Sequence, residues 1–230
     1  MKATVQGSRS TIRWGMALTV LGLLALAVVY LMALRYTPLE ARQGAAQKIF
    51  YVHVPAAWSA MVAFTLVGLA GILYLWLKDE RLDAFAASSA EVGLVFSVII
   101  LTTGPMWGKP VWGTWWTWDA RLTLTLIMFL LFLGYMTLRS AVKDPAERAR
   151  FSAVVGIMGM VLVPFIHLSV YLFRTLHPMP IVLKPSAPSL PPVMLRTLLA
   201  GFLAATITYV GFVTVRYGLA CRAMASRGSD

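Results

Sequence analysis

The chain holds a single cysteine, Cys221, among 230 residues. One thiol cannot form an internal disulfide, and neither a CxxC nor a CxxCH pattern occurs, so disulfide scaffolds, dithiol redox sites and thioether-anchored groups are excluded. Acidic residues are few, nine against twenty basic ones, and no loop brings two of them together for acid–base work. A G-x-x-x-x-G-K-[ST] loop is absent, so this chain does not hydrolyse ATP. HExxH and nucleophile-elbow patterns are also missing. No repeat of 20–50 residues and no low-complexity tract appears. The sequence carries no catalytic constellation and reads as a protein that is not an enzyme.

Charge as a whole is scarce. Only 13% of the residues are charged while 59% are hydrophobic, with a mean hydropathy of +0.76. A soluble domain is about a quarter charged and about half apolar, so this chain has more apolar surface than one core can hide. That excludes an ordinary soluble enzyme and intrinsic disorder, and it predicts an all-α polytopic membrane protein. Six windows meet the length of about 20 residues that a bilayer requires. They lie at 14–34, 54–77, 84–103, 120–138, 151–173 and 193–216, within one membrane domain spanning 1–230, with a loop at 104–119. The basic stretch before Trp14 resembles a signal peptide. The following run is long enough to span, however, and Ala33-Leu34-Arg35 offers no good cleavage pattern, so a retained helix is expected.

The net charge of +11 and pI near 10.2 would suggest nucleic acid in a soluble chain. In a membrane chain they report topology. Twelve Lys and Arg residues fall on the side of the termini and eight on the other. Basic residues concentrate on the cytoplasmic side, which predicts both termini in the cytoplasm. The eight outer cations (Arg35, Arg42, Lys48, Lys109, Arg121, Arg174, Lys184 and Arg196) are more than this rule expects, and lipid headgroups or an anionic ligand would each account for them.

Five of the eight tryptophans, Trp107, Trp112, Trp115, Trp116 and Trp118, fall in the one stretch TTGPMWGKPVWGTWWTWDARLT. An interfacial belt would place tryptophans at headgroup depth, but a belt spreads its rings over several helix ends. Gly104, Pro105, Gly108, Pro110 and Gly113 are expected to break any helix here and to lay the rings out as a shelf for a flat apolar ligand. Belt and shelf both fit these residues. Asp119 opens the next helix, where an N-terminal acid is favoured as a cap and by the helix dipole.

There are three histidines. His53, in KIFYVHVPAAW, precedes Pro55 at the start of the second span, and His177, in FRTLHPMP, follows the fifth. Two membrane crossings separate His53 from the tryptophan stretch and two more lead on to His177, so all three share one side whichever way the chain inserts. Each imidazole alone reads first as a polar tip at the interface. Together, flanking an aromatic shelf, they match the axial pair of a haem iron, and the outer cations could meet its propionates. Glu91 in the third span is costly there and so a functional candidate by default. His167 lies ten residues before His177, roughly 15 Å along a helix, and is expected to be a satisfied interior residue.

The stretch WGTWWTWDARLT, Trp112–Thr123, resembles the tryptophan-rich WWD signature of the haem-handling proteins of cytochrome c maturation, and among them the CcmC type, haem exporter protein C. FYVHVPAAW around His53, TLHP around His177 and the order of the spans extend the resemblance over nearly the whole chain. It implies haem b held at the periplasmic face of the bacterial inner membrane, with His53 and His177 as the iron ligands. It implies too that Trp112, Trp115, Trp116, Trp118 and Asp119 belong to the haem platform. The partners it implies are a periplasmic haem chaperone of the CcmE type, the ABC transporter subunits CcmA and CcmB, and the small single-span CcmD. Two other readings are weaker. An electron-transfer subunit like cytochrome b needs facing histidines in mid-membrane, and only His167 is so placed. A secondary transporter with a midplane site at Glu91 and His167 would show repeats or broken helices.

Overall fold

A computed structural model of the chain describes residues 2–182 and 184–227. Six long helices follow one another: α1 (Lys2–Arg35), α2 (Phe50–Leu77), α3 (Glu80–Trp112), α4 (Ala120–Ala141), α5 (Pro145–Leu172) and α6 (Pro192–Arg227), with one 3₁₀ turn at Ala45–Ile49 before α2. All six are long and apolar enough to cross a membrane. Among the described residues the only β-pairing is an isolated bridge between Glu40 and Gly44.

The connections at the end holding the termini are short and capped. Lys78 takes a left-handed conformation (φ 55°) to close α2. Asp79 and Asp144 then accept backbone N–H groups at the starts of α3 and α5, and Pro145 opens α5, where its missing N–H costs nothing. These devices satisfy helix-end groups that lipid could not.

Helix α2 forms the centre, packed against α3, α5 and α6. Its core is the stacked pair Phe64 and Phe132, with centroids 3.6 Å apart, and Ser89 joins α2 to α6 by bonding the Ala63 carbonyl (3.0 Å) and Tyr209 (2.7 Å). Helix α1 lies along α6 through small residues. A methyl group on Gly15 would come within 2.7 Å of the Val215 backbone, and one on Gly211 within 2.5 Å of the Thr19 backbone. Backbones meet this closely only where side chains are absent.

One expectation from the sequence is corrected. Gly104, Pro105, Gly108 and Pro110 do not break the chain: α3 runs through all four to Trp112. Proline removes one hydrogen bond, but neighbouring helices tolerate it within a bundle, and the glycines serve close approach instead. A Cβ on Gly104 would sit 3.3 Å from His53, and one on Gly108 3.0 Å from the Trp112 ring. The helix stops at Gly113, whose φ of 77° is left-handed and whose N–H returns to Lys109. Glu91, a functional candidate by its depth alone, has a partner on another helix. Its carboxylate pairs with Arg216 of α6 at 2.7 Å, with both side chains about half exposed.

Candidate functional site

Opposite the termini, three segments converge: the start of α2, the end of α3 with its following loop, and the chain after α5. Lys48 fixes the first. Its ammonium donates to the carbonyls of Thr37 (2.6 Å) and Pro38 (3.2 Å) and to the Thr37 hydroxyl, tying the end of α1 to the start of α2. One turn later His53 is buried, with the Trp107 ring edge-on at 5.8 Å.

The hydrogen bonds assign the His53 tautomer. Its Nδ1 lies 3.0 Å from Thr103 Oγ1, and that hydroxyl already gives its proton to the Ile99 carbonyl at 2.6 Å. The Thr103 oxygen therefore accepts, so Nδ1 carries the proton and Nε2 keeps its lone pair. His177 reaches the same state differently. Its Nδ1 lies 3.0 Å from the Pro178 carbonyl, which can only accept. Burial, and next the Arg121 guanidinium, push the His177 pKa down to about 3, so the ring is neutral. Two neutral imidazoles, each with a free Nε2, suit metal ligation.

His177 sits on a loop, and Asp119 at the start of α4 holds it. One Asp119 oxygen accepts the Leu122 N–H at 3.0 Å, capping α4. The other accepts the Thr175 hydroxyl at 2.6 Å, and Thr175 Oγ1 in turn accepts the His177 N–H at 3.1 Å. Asp119 thus lies behind the site and does not line its cavity.

Two adjoining lobes of open space border both histidines. The larger encloses about 1070 Å³, counting space open to solvent, and is lined by Trp107, Trp112, Trp115 and Trp116. The smaller, about 740 Å³ on the same measure, is lined by Trp58, His167 and Phe202 among others. His53, His177, Trp107 and Arg121 border both. Two buried donors on the wall of the larger lobe, Arg121 Nη1 and Trp116 Nε1, have no hydrogen-bond partner among the described residues. Unpaired buried donors are costly, and together with the guanidinium charge they suit an anionic acceptor.

The predicted residues are not all brought together. His53, His177, Trp112, Trp115 and Trp116 line the cavity. Trp118 lines neither lobe; it is 76% exposed and meets Trp116 edge-on at 5.8 Å. His167 lines the smaller lobe, which His53 and His177 also border, and packs near Tyr171. Nothing in the sequence singles out Thr103 and Thr175, and Trp107 stands out there only as part of the aromatic stretch. Thr103 and Trp107 are four residues apart, one turn on a common helix face, but that signal appears only once α3 is known to continue past Gly104.

Residues 3–227 match the family model for CcmC, haem exporter protein C. Relatives bearing the name haem exporter protein C include one from Bradyrhizobium diazoefficiens, 39% identical over 83% of this chain and 74% of its own length. Another, from Haemophilus influenzae, is 35% identical over 86% of this chain and 80% of its own. That from Escherichia coli K12 is 36% identical over 70% of this chain and 65% of its own. On this match over almost its whole length, the chain belongs to the haem exporter protein C family.

Proposed function

We propose that the chain holds haem b between His53 and His177 at the periplasmic face of the bacterial inner membrane and passes it to a periplasmic haem chaperone during cytochrome c maturation. The observation that carries this reading is that His53 and His177 together border the same open space, beside the unpaired buried donors of Arg121 and Trp116. A ring ligated by both imidazoles needs open space that both of them border, and each lobe is bordered by both.

The chemistry of the walls supports the same reading. Among the described residues no group of three or more His, Cys, Asp or Glu side chains is arranged to hold a bare metal ion. Two imidazoles suffice for an iron that arrives with four equatorial nitrogens of its own. Aromatic rings offer the flat apolar faces a porphyrin prefers. Arg121 Nη1 and Trp116 Nε1 are the unpaired donors available to a propionate. Ligation by two histidines leaves the iron no open position for oxygen chemistry, which suits a carrier and not an enzyme.

In this account the haem edge exposed beside Trp115 and Trp118, both more than half exposed, meets the chaperone of the CcmE type. The ABC subunits CcmA and CcmB use ATP to release the loaded chaperone, and the single-span CcmD completes the assembly. The test uses the full chain in vesicles, loaded with haem and mixed with the soluble domain of such a chaperone. Haem is expected to move to the chaperone from the intact chain and not from the His53→Ala, His177→Ala variant. Haem that stays with the intact chain would contradict the delivery reading.

A further inference from the structure

We infer that Asp119 and Thr175 are positioning residues for His177, acting as a strut that sets the imidazole without touching the haem. The inference rests on the ligand reading above and reassigns Asp119 from the haem platform to a role behind it.

The two candidate ligands stand on unequal foundations. His53 belongs to a helix, and a second helix buttresses its ring through Thr103. His177 lies five residues beyond the end of α5, in the irregular stretch before α6. Helices and strands hold a site more closely than loops, so the loop ligand needs a support of its own. The Asp119 carboxylate supplies it from the start of α4, whose first turn is fixed because the same carboxylate caps it. Through the Thr175 hydroxyl that fixed point reaches the His177 backbone N–H, in bonds of 2.6 and 3.1 Å. The Thr175 hydroxyl joins the two, donating to Asp119 and accepting from His177. Thr117 bonds the same Asp119 oxygen at 3.4 Å, so the carboxylate also ties the end of the tryptophan loop to the His177 loop.

The cap and the strut can be separated by substitution. Serine is as good a helix cap as aspartate but too short to reach Thr175, so Asp119→Ser retains the cap and removes the strut. Thr175→Val keeps the side-chain shape and removes the hydroxyl, while Thr175→Ser restores it.

The experiment purifies the full-length chain with haem and records haem content and spin state by absorption and electron paramagnetic resonance. Thr175→Val and Asp119→Ser are each expected to lower retained haem by at least threefold and to shift part of the remainder from low spin to high spin. Added imidazole should restore the low-spin signal, because it replaces a misplaced ligand; it would not repair a misfolded bundle. Thr175→Ser should behave as the unmodified chain, and the double variant should be no worse than either single one, as expected for two members of one unit. Unchanged haem content and spin state in Thr175→Val would overturn the strut. His177→Ala distinguishes the two readings: if it loses low-spin haem while Thr175→Val does not, ligation stands and the strut fails. If His177→Ala changes nothing, the ligation reading itself fails.

Discussion

Thr103 accepts the His53 Nδ1 proton because its own hydroxyl proton is already committed, to the Ile99 carbonyl at 2.6 Å. A threonine that could either give or take is thereby made an acceptor only, and the imidazole behind it is held in one tautomer. Partners of this kind orient metal ligands, and their loss costs roughly 10–100-fold in affinity. Thr103→Val should therefore raise the rate at which haem leaves the purified chain by about that factor, with a smaller effect for Thr103→Ser, measured by capture with an excess of apomyoglobin. An unchanged rate in the valine variant would show that the tautomer needs no support.

The aromatic rings divide by position. Trp116 lines the larger lobe, whereas Trp118 stands outside both lobes and 76% exposed. Trp116→Ala should lower haem retention severalfold, removing both a ring face and an unpaired indole N–H. Trp118→Ala should leave retention within twofold and instead slow transfer to the chaperone. Equal losses of retention in the two variants would remove the distinction between wall and rim.

The neutrality of His177 gives a dependence on pH with a defined sign. Its pKa of about 3 in the folded chain lies below the ordinary value of 6.5. Between those values the unfolded chain binds a proton that the folded chain refuses, so the stability contributed here is whole above about pH 6.5 and falls as the pH drops toward 3. Nitrogen-15 spectra of the haem-free, histidine-labelled chain should show the His177 ring as the neutral Nδ1–H tautomer from pH 8 down to pH 4. A midpoint near pH 6.5 would contradict this.

At the end away from the histidines, Arg139 and Asp83 form a mostly buried pair, with contacts of 2.5 and 2.9 Å, that joins α4 to α3. Removing one member of a buried pair strands the other charge at a cost of about 3–5 kcal/mol. Arg139→Met should lower the thermal midpoint of the detergent-solubilised chain while leaving the spectrum of bound haem unchanged below that temperature. A haem spectrum altered at low temperature would mean the two ends are coupled.

The six helices are legible because the apolar runs are long and the charge between them is sparse, and crossing parity alone puts His53, the tryptophans and His177 on one side. The course of α3 was not legible. Glycine and proline break helices in water, but around Gly104 and Pro105 the helix is held by its neighbours, and the small residues make room for His53. The partner of Glu91 was not legible because Arg216 is 125 positions away in sequence. Thr103 and Thr175 carry no compositional signal; a hydroxyl in an apolar chain shows its purpose only when the atoms on either side of it are known. Asp119 was legible as a cap, and its second oxygen was not.

As the proposed iron ligands, His53 and His177 should each leave a spectroscopic mark. The most direct measurement is the low-temperature electron paramagnetic resonance spectrum of the haem-loaded full-length chain beside its His53→Ala, His177→Ala and His167→Ala variants. A low-spin signal of two imidazoles is expected in the unmodified chain and in His167→Ala, lost in each of the other two and recovered with added imidazole. A low-spin signal that survives both His53→Ala and His177→Ala but vanishes in His167→Ala would contradict it.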